Sequence, residues 1–293
     1  MLLLYVLVSG LATAWWCTGH MVVATIAEQQ LAAATQATVQ QYLDNLPQSL
    51  VHDIGTSMAE NACWADDEWG TYGLTAMFNW HFLDQPYNPE GIMNIVQYAP
   101  GNVLWAAQQA LGTLSSANRA SAPFETGLML RYLVHLIGDM HQPLHVSCMF
   151  SEQYPQGDQG GNLVPIEFDQ DIQELHALWD AALGHMEVTY SRPLNATSLE
   201  AVENWALEIT QEFPRSALSG DLSVTNMTDW TTTNFQIAST FVYPGITPGQ
   251  HPSEAYLDAG WEIAKRQLAL AGYRLGDLLE SLFAAQEEKH FSI

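Results

Sequence analysis

The chain has 293 residues, 48% of them apolar, ten of them tryptophan, and only 8 Lys and Arg against 32 Asp and Glu, for a net charge of -24. That composition supplies a sizeable hydrophobic core and excludes a disordered chain, while the charge excludes the basic footprint by which most proteins hold a polyanion. No Lys or Arg occurs between Trp15 and Asn118, so any phosphate chemistry in this half would need bound metal to supply positive charge.

Residues 1–14, MLLLYVLVSGLATA, form a short apolar stretch that ends in a small-residue cleavage pattern, Ala12-Thr13-Ala14. The stretch is too short to span a bilayer as a helix and lacks the usual basic start. It reads as a signal peptide, and its removal would leave Trp15 as the N-terminus. A terminal amine and its own carbonyl can chelate one metal together. No later run is long enough to cross a membrane, so the mature protein is expected to be soluble, secreted or lumenal, without stable membrane insertion.

Residues 15–293 suit a single domain, since no Gly/Ser linker, charge block or repeat marks a boundary. Apolar periodicity predicts a helix from Gly19 to about Leu43 and another from Val103 to Leu114. The strongest runs from Phe124 to about Gln142, where Pro143 cannot continue the hydrogen-bond ladder. Asp171 to Leu183, Leu199 to Phe213 and Tyr256 to Phe283 complete the set. Asp66–Asn102 and the Gly/Pro-rich stretch Tyr154–Pro165 read as irregular, and no run of alternating strands occurs. The expected fold is all-α, one multi-helix domain with long functional loops.

The chemistry concentrates in histidine and aspartate. His135/Asp139 and His176/Asp180 lie four residues apart in helical runs, which puts each pair on one helix face. His145 follows the break at Pro143 and can swing back. His141, two residues past Asp139, points elsewhere and reads as structural. A single buried histidine is more often core than ligand; His20, His81, His135, His145 and His176, placed among Asp66, Asp139 and Asp180, reverse that balance. Imidazole and carboxylate converging from several helices is what zinc needs. Ser/His/Asp catalysis uses the same residue types, but no G-x-S-x-G elbow accompanies them. Of the cysteines, Cys17, Cys63 and Cys148 each lie three residues from one of these positions. If His20 and Asp66 share a site, Cys17 and Cys63 are the pair brought close. Asn195-Ala-Thr and Asn226-Met-Thr are glycosylation sequons.

Several motifs in order carry a resemblance. They are Trp15-Trp-Cys-Thr-Gly-His20, Trp64-Ala-Asp66, Trp80-His81-Phe-Leu-Asp84, the His135–His145 stretch, Gly160-Gly-Asn162, Leu175-His176-Ala-Leu-Trp179-Asp180 and Ala271-Gly-Tyr-Arg-Leu-Gly-Asp-Leu-Leu279. Together they resemble the zinc-dependent class I nuclease / 3'-nucleotidase family, over nearly the whole chain from Trp15. The resemblance implies three zinc ions per chain. The first would take Asp66, His81, His135 and Asp139, and the second His145, His176 and Asp180. The third would take the Trp15 amine and carbonyl, His20 and Asp139, so that Asp139 bridges two ions, with a zinc-bound water as nucleophile.

The implied substrates are single-stranded DNA and RNA, cut to 5'-nucleotides, and 3'-nucleotides, which lose their phosphate. Phe82 and Asp84 match positions that hold the base next to the scissile bond, Phe82 either by stacking on an unpaired base or, on the residue alone, as ordinary core packing. Asn162, after two glycines, reads either as a residue that orients the second-site histidine or contacts substrate, or as a simple loop asparagine. The sequence does not give the oligomeric state, and a monomer is favoured. The family commonly carries Lys or Arg three residues after the aspartate matching Asp66, and Trp69 stands there instead. Phosphate charge would then rest on zinc alone, unless Arg131 or another distant cation reaches in. The stretch Trp230-Thr-Thr-Thr-Asn234 also lacks the acidic residue usual after that tryptophan. Two other readings use much of the same set: a zinc phospholipase C, whose His lies farther from the N-terminal Trp, and a non-catalytic zinc-binding surface protein.

Overall fold

Among the described residues twelve α-helices follow one another, and local signals set the starts of several of them. The structure is a computed structural model that describes residues 15–52, 54–73, 75–95 and 99–284, without the side chains of 48, 69 and 70. The proposed leader 1–14 and the side chain of Trp69 lie outside the described residues. The helices are α1 (Cys17–Glu28), α2 (Ala33–Leu43), α3 (Gln48–Val51), α4 (Met58–Asn61), α5 (Trp64–Gly70), α6 (Val103–Leu114), α7 (Pro123–Asp139), α8 (Leu175–Asp180), α9 (Ala196–Glu212), α10 (Ser219–Leu222), α11 (Met227–Ile237) and α12 (Glu254–Phe283). Among the described residues the only strands are β1 (Pro86–Tyr87) and β2 (Cys148–Met149), paired in parallel. The expected all-α class holds.

Starts follow from capping chemistry. Asn102, Asn195 and Ser253 each accept a hydrogen bond from a backbone N–H of the first turn of α6, α9 and α12. Ser57 and Glu60 form a reciprocal capping box on α4. Proline opens α7 at the position where its missing N–H costs nothing.

Three expectations change. The single helix from Gly19 to Leu43 is two, broken at residues 29–32. The start of α2 is fixed from far away: the Glu280 carboxylate on α12 accepts from the Ala32 N–H and the Thr35 hydroxyl, both at 3.1 Å. The helix expected over Asp171–Leu183 shrinks to α8, because Asp169 accepts from the Asp171 and Ile172 N–H groups and holds a turn there. Third, most of α5 and a 3₁₀ helix (Thr75–His81) lie inside the stretch read as irregular.

Helix α1 is the axis of the core. Residues 18–27 are all buried, packed by α4, α7, α9 and α12. Close approach of α12 depends on Gly272, where an added Cβ would lie 2.5 Å from the Ile26 side chain. A disulfide joins Cys17 at the start of α1 to Cys63 just before α5. The pairing favoured from the sequence is present, and it ties the helix bearing His20 to the one bearing Asp66.

Candidate metal centre

Asp66 comes from α5, His81 from the end of the 3₁₀ helix, His135 and Asp139 from α7, and His20 from α1. His145 sits in a second 3₁₀ turn, Pro143–Val146, and His176 and Asp180 lie on α8. All eight are buried, with Asp139, His135 and Asp180 at 0% exposure. They converge as three overlapping groups: His20, His135 and Asp139; Asp66, His81 and His135; and His145, His176 and Asp180.

The second of these groups, with Asp139, forms a quartet. His81 Nδ1 and His135 Nε2 are 3.0 Å apart, and each lies 3.3 Å from both Asp66 Oδ1 and Asp139 Oδ2. A tetrahedral ion with bonds of about 2.0–2.1 Å has ligand-to-ligand edges of about 3.3–3.4 Å, so the quartet has the size of one coordination shell. The other oxygen of Asp139, Oδ1, lies 3.4 Å from His20 Nε2. Asp139 therefore faces two ligand groups, one with each oxygen. In the third group His145 Nε2 and His176 Nε2 are 3.0 Å apart, and Asp180 Oδ2 is 3.3 Å from His176 Nε2.

The surroundings aim these atoms inward. His135, His145 and His176 donate from Nδ1 to the carbonyls of Ala62, His81 and Gly160, at 2.7, 2.7 and 2.6 Å. Each bond fixes the tautomer and leaves an Nε2 lone pair facing the cluster. Gln142 holds Asp180 Oδ1 at 2.6 Å, leaving Oδ2 to face the histidines. Trp15 is fully buried, and its indole donates to Gly138 O at 3.1 Å, one residue before Asp139.

The donor set fits a metal. Both oxygens of Asp139, Oδ2 of Asp180 and both ring nitrogens of His20 are buried without a hydrogen-bond partner. Burial holds His20 and His176 down to about 3, with neighbouring imidazoles adding to it, so both rings are neutral and ready to donate at pH 7. Burial also raises the Asp139 carboxyl, but His135 and His81 outweigh it and hold it well below the usual range. Burial and the nearby carboxylates push Asp180 well up. Uncompensated carboxylates at this depth are costly, and no described Lys or Arg offsets them.

Arg131 does not reach in. It is 2% exposed and donates to Asn61 Oδ1 and Leu43 O beneath Trp64. Arg192 grips Asp67, the residue after Asp66, through two 2.7 Å bonds. His141 faces away from the cluster, with Nε2 2.7 Å from Arg274 and its ring beside Trp230.

Of the base-site candidates, Phe82 is half-buried with its ring 5.3 Å from that of Phe78. Asp84 is pushed up to about 6 by burial and by Asp158. Asn162 bonds its own turn, through Gln159 O at 2.8 Å, and the carbonyl that orients His176 belongs to Gly160. Sequence reasoning missed Gln142 and Gly138, and it singled out Gly160 only as part of the Gly160-Gly-Asn162 motif, without the role of its carbonyl. A Cβ at Gly138 would lie 2.7 Å from His20 Nδ1, and one at Gly160 2.6 Å from Leu144 O. For Gln142 and Gly138 the only sequence signal is their place inside the His135–His145 stretch.

A helical domain whose buried histidines and aspartates form three adjoining groups with metal-ligand spacing defines a class of proteins able to hold metal ions. The chain belongs to one family of it: residues 15–284 match the model of the S1/P1 nuclease family, hydrolases that act on phosphodiester bonds. Among its relatives, nuclease P1 of Penicillium citrinum is 26% identical over 94% of this chain and 100% of its own length. Nuclease S1 of Aspergillus oryzae is 25% identical over 93% and 92%. Endonuclease 4 of Arabidopsis thaliana is 24% identical over 97% and 94%.

Proposed function

We propose that the protein is a secreted zinc-dependent nuclease that cleaves single-stranded DNA and RNA to 5'-nucleotides and removes phosphate from 3'-nucleotides. The observation that carries this reading is Asp139, fully buried, with one oxygen toward His20 and the other toward His81 and His135. Mixed imidazole nitrogen and carboxylate oxygen is the donor set of zinc.

Three ions are proposed. Asp66, His81, His135 and Asp139 would hold one, and His145, His176 and Asp180 a second. His20, Asp139 and the amine and carbonyl of Trp15 would hold a third. Bound zinc supplies the Lewis acidity and the acidified water that phosphoester hydrolysis needs.

The chain's own residues do the rest. Backbone carbonyls of Ala62, His81 and Gly160 hold three imidazoles in one tautomer. Phe82 offers a ring to an unpaired base, and Asp84 a carboxylate to its exocyclic amine. The apolar leader, the Cys17–Cys63 disulfide and two exposed sequon asparagines support secretion. Asn195 and Asn226 each cap a helix through Oδ1, which leaves the glycan-bearing Nδ2 chemically separate from the cap.

The test is a purified secreted sample, analysed for metal and N-terminus and assayed on single-stranded DNA, 3'-AMP and phosphatidylcholine. Three zinc per chain, a Trp15 terminus and turnover of the first two substrates are expected. Turnover of the lipid alone would overturn the nuclease reading.

A further inference from the structure

The 3₁₀ helix Thr75–His81 carries an aromatic residue, Phe78, three positions before the candidate ligand His81. Side chains three residues apart eclipse on a 3₁₀ helix, so Phe78 stands on the same face as His81, one turn earlier. The rise over that turn is about 6 Å, comparable to one nucleotide step of an extended strand. Phe78 is 36% exposed. Trp80, between the two, turns instead against Tyr132 and Trp105.

The Phe78 ring meets Phe82 at 5.3 Å between centroids with 69° between planes. Two hydrogen bonds lace the same segment to His145: its Nδ1 donates to His81 O, and the Leu83 N–H donates to His145 O. Phe78 and Phe82 thus form two adjoining platforms on one rigid strip, both anchored to metal-ligand positions.

We propose that Phe78 is a second base-stacking subsite, taking the nucleobase next to the one held on Phe82; this rests on the single-strand nuclease reading above. Two platforms at 69° cannot both stack on neighbouring bases that remain parallel. The adjacent bases must splay, which an unpaired strand does readily and a duplex does only by giving up its stacking. Phe78 then makes two contributions: affinity that grows with chain length, and discrimination against paired strands. Neither requires reading base identity, since every base has a π-face.

The experiment compares wild type, Phe78→Trp, Phe78→Leu and Phe78→Ala with metal content matched. Each is assayed on hexathymidylate and on 3'-thymidine monophosphate, which has no second base. Loss of one stacked base lowers affinity by about 5- to 100-fold. The ratio of kcat/KM on hexamer to that on mononucleotide is therefore expected to fall by that factor in Leu and Ala, through KM, and to hold in Trp. The preference for single-stranded over duplex DNA falls with it.

Phe124→Ala, which removes another exposed phenylalanine at the far end of α7, leaves the ratio unchanged. Equal loss on both substrates, or a leucine variant equal to the tryptophan one, overturns the proposal. A wild type that hydrolyses hexamer but not mononucleotide counts against the 3'-phosphatase reading, and the Trp/Leu contrast on hexamer then decides the subsite. A wild type inactive on both counts against the nuclease reading itself.

Discussion

Asp139 turns its two oxygens to different ligand groups, so even a conservative change there disturbs both. Asp139→Asn removes a charge and one oxygen donor. It is expected to lower hydrolysis by about 100-fold or more, with zinc content reduced. His141→Ala, two residues on, should retain metal and most activity but lose about 1–3 kcal/mol of stability, because the buried Arg274 guanidinium loses a partner. Metal analysis and melting curves on both variants separate the two; equal zinc loss would mean that the faces of α7 are misassigned. Trp69 is the other residue to change. With Arg131 locked beneath Trp64 and Arg192 engaged by Asp67, no described cation fills the place of the relatives' Lys or Arg. Trp69→Arg adds a charge-assisted contact to a phosphate oxygen, typically about 1.5–3 kcal/mol. Turnover of single-stranded DNA should rise about 10-fold or more in Trp69→Arg and not in Trp69→Ala. Absence of a gain would mean that the side chain points away from the cluster.

Helix α7 carries the densest chemistry, and its contact with α1 is set by a missing side chain. At Gly138 an added Cβ would fall 2.7 Å from His20 Nδ1. Gly138→Ala should therefore displace His20 and lower the stoichiometry by one ion, while far-UV circular dichroism stays that of the wild type. Unchanged stoichiometry would show that His20 has room to move. The i, i+4 pairs of α7 and α8 were legible in the sequence because helical periodicity alone puts His135 with Asp139 and His176 with Asp180. So were the long terminal helix and the break at Pro143. The division of α1 from α2 was not, since the cap at Ala32 comes from Glu280, 248 residues away. Helix α11 was missed for another reason: Thr231, Thr232 and Thr233 depress helix propensity locally, and tertiary packing of Trp230 against His141 and Arg274 overrides it. Gln142 escaped notice because a glutamine that orients a carboxylate looks, in sequence, like any other.

Across the whole molecule, the buried His/Asp centre ties acid to stability, and with the proposed zinc it would tie metal to both. Chelation should lower Tm together with activity, since zinc in structural sites contributes on the order of 10 kcal/mol to folding. A chelated protein with an unchanged Tm would exclude metal as the organiser of this core. His20 and His176 titrate near 6.5 when unfolded and at about 3 in the fold. Between these values the unfolded chain binds more protons, so stability rises with pH through the window and is lost on acidification. Tm measured from pH 7 to 4 should fall steadily, with zinc released in step; a flat profile would contradict the depressed imidazoles.

Every candidate ligand lies at or before Asp180, yet α1, which bears His20, is roofed by α12 from Glu254 onward. On a ribosome, the ligands emerge long before the cover does. The nascent chain then carries a complete set of donor atoms with no enclosed place to put them. A chain stopped at Pro252 would keep all the donors and still be expected to copurify without metal, so a late nonsense mutation would be as disabling as the loss of a ligand.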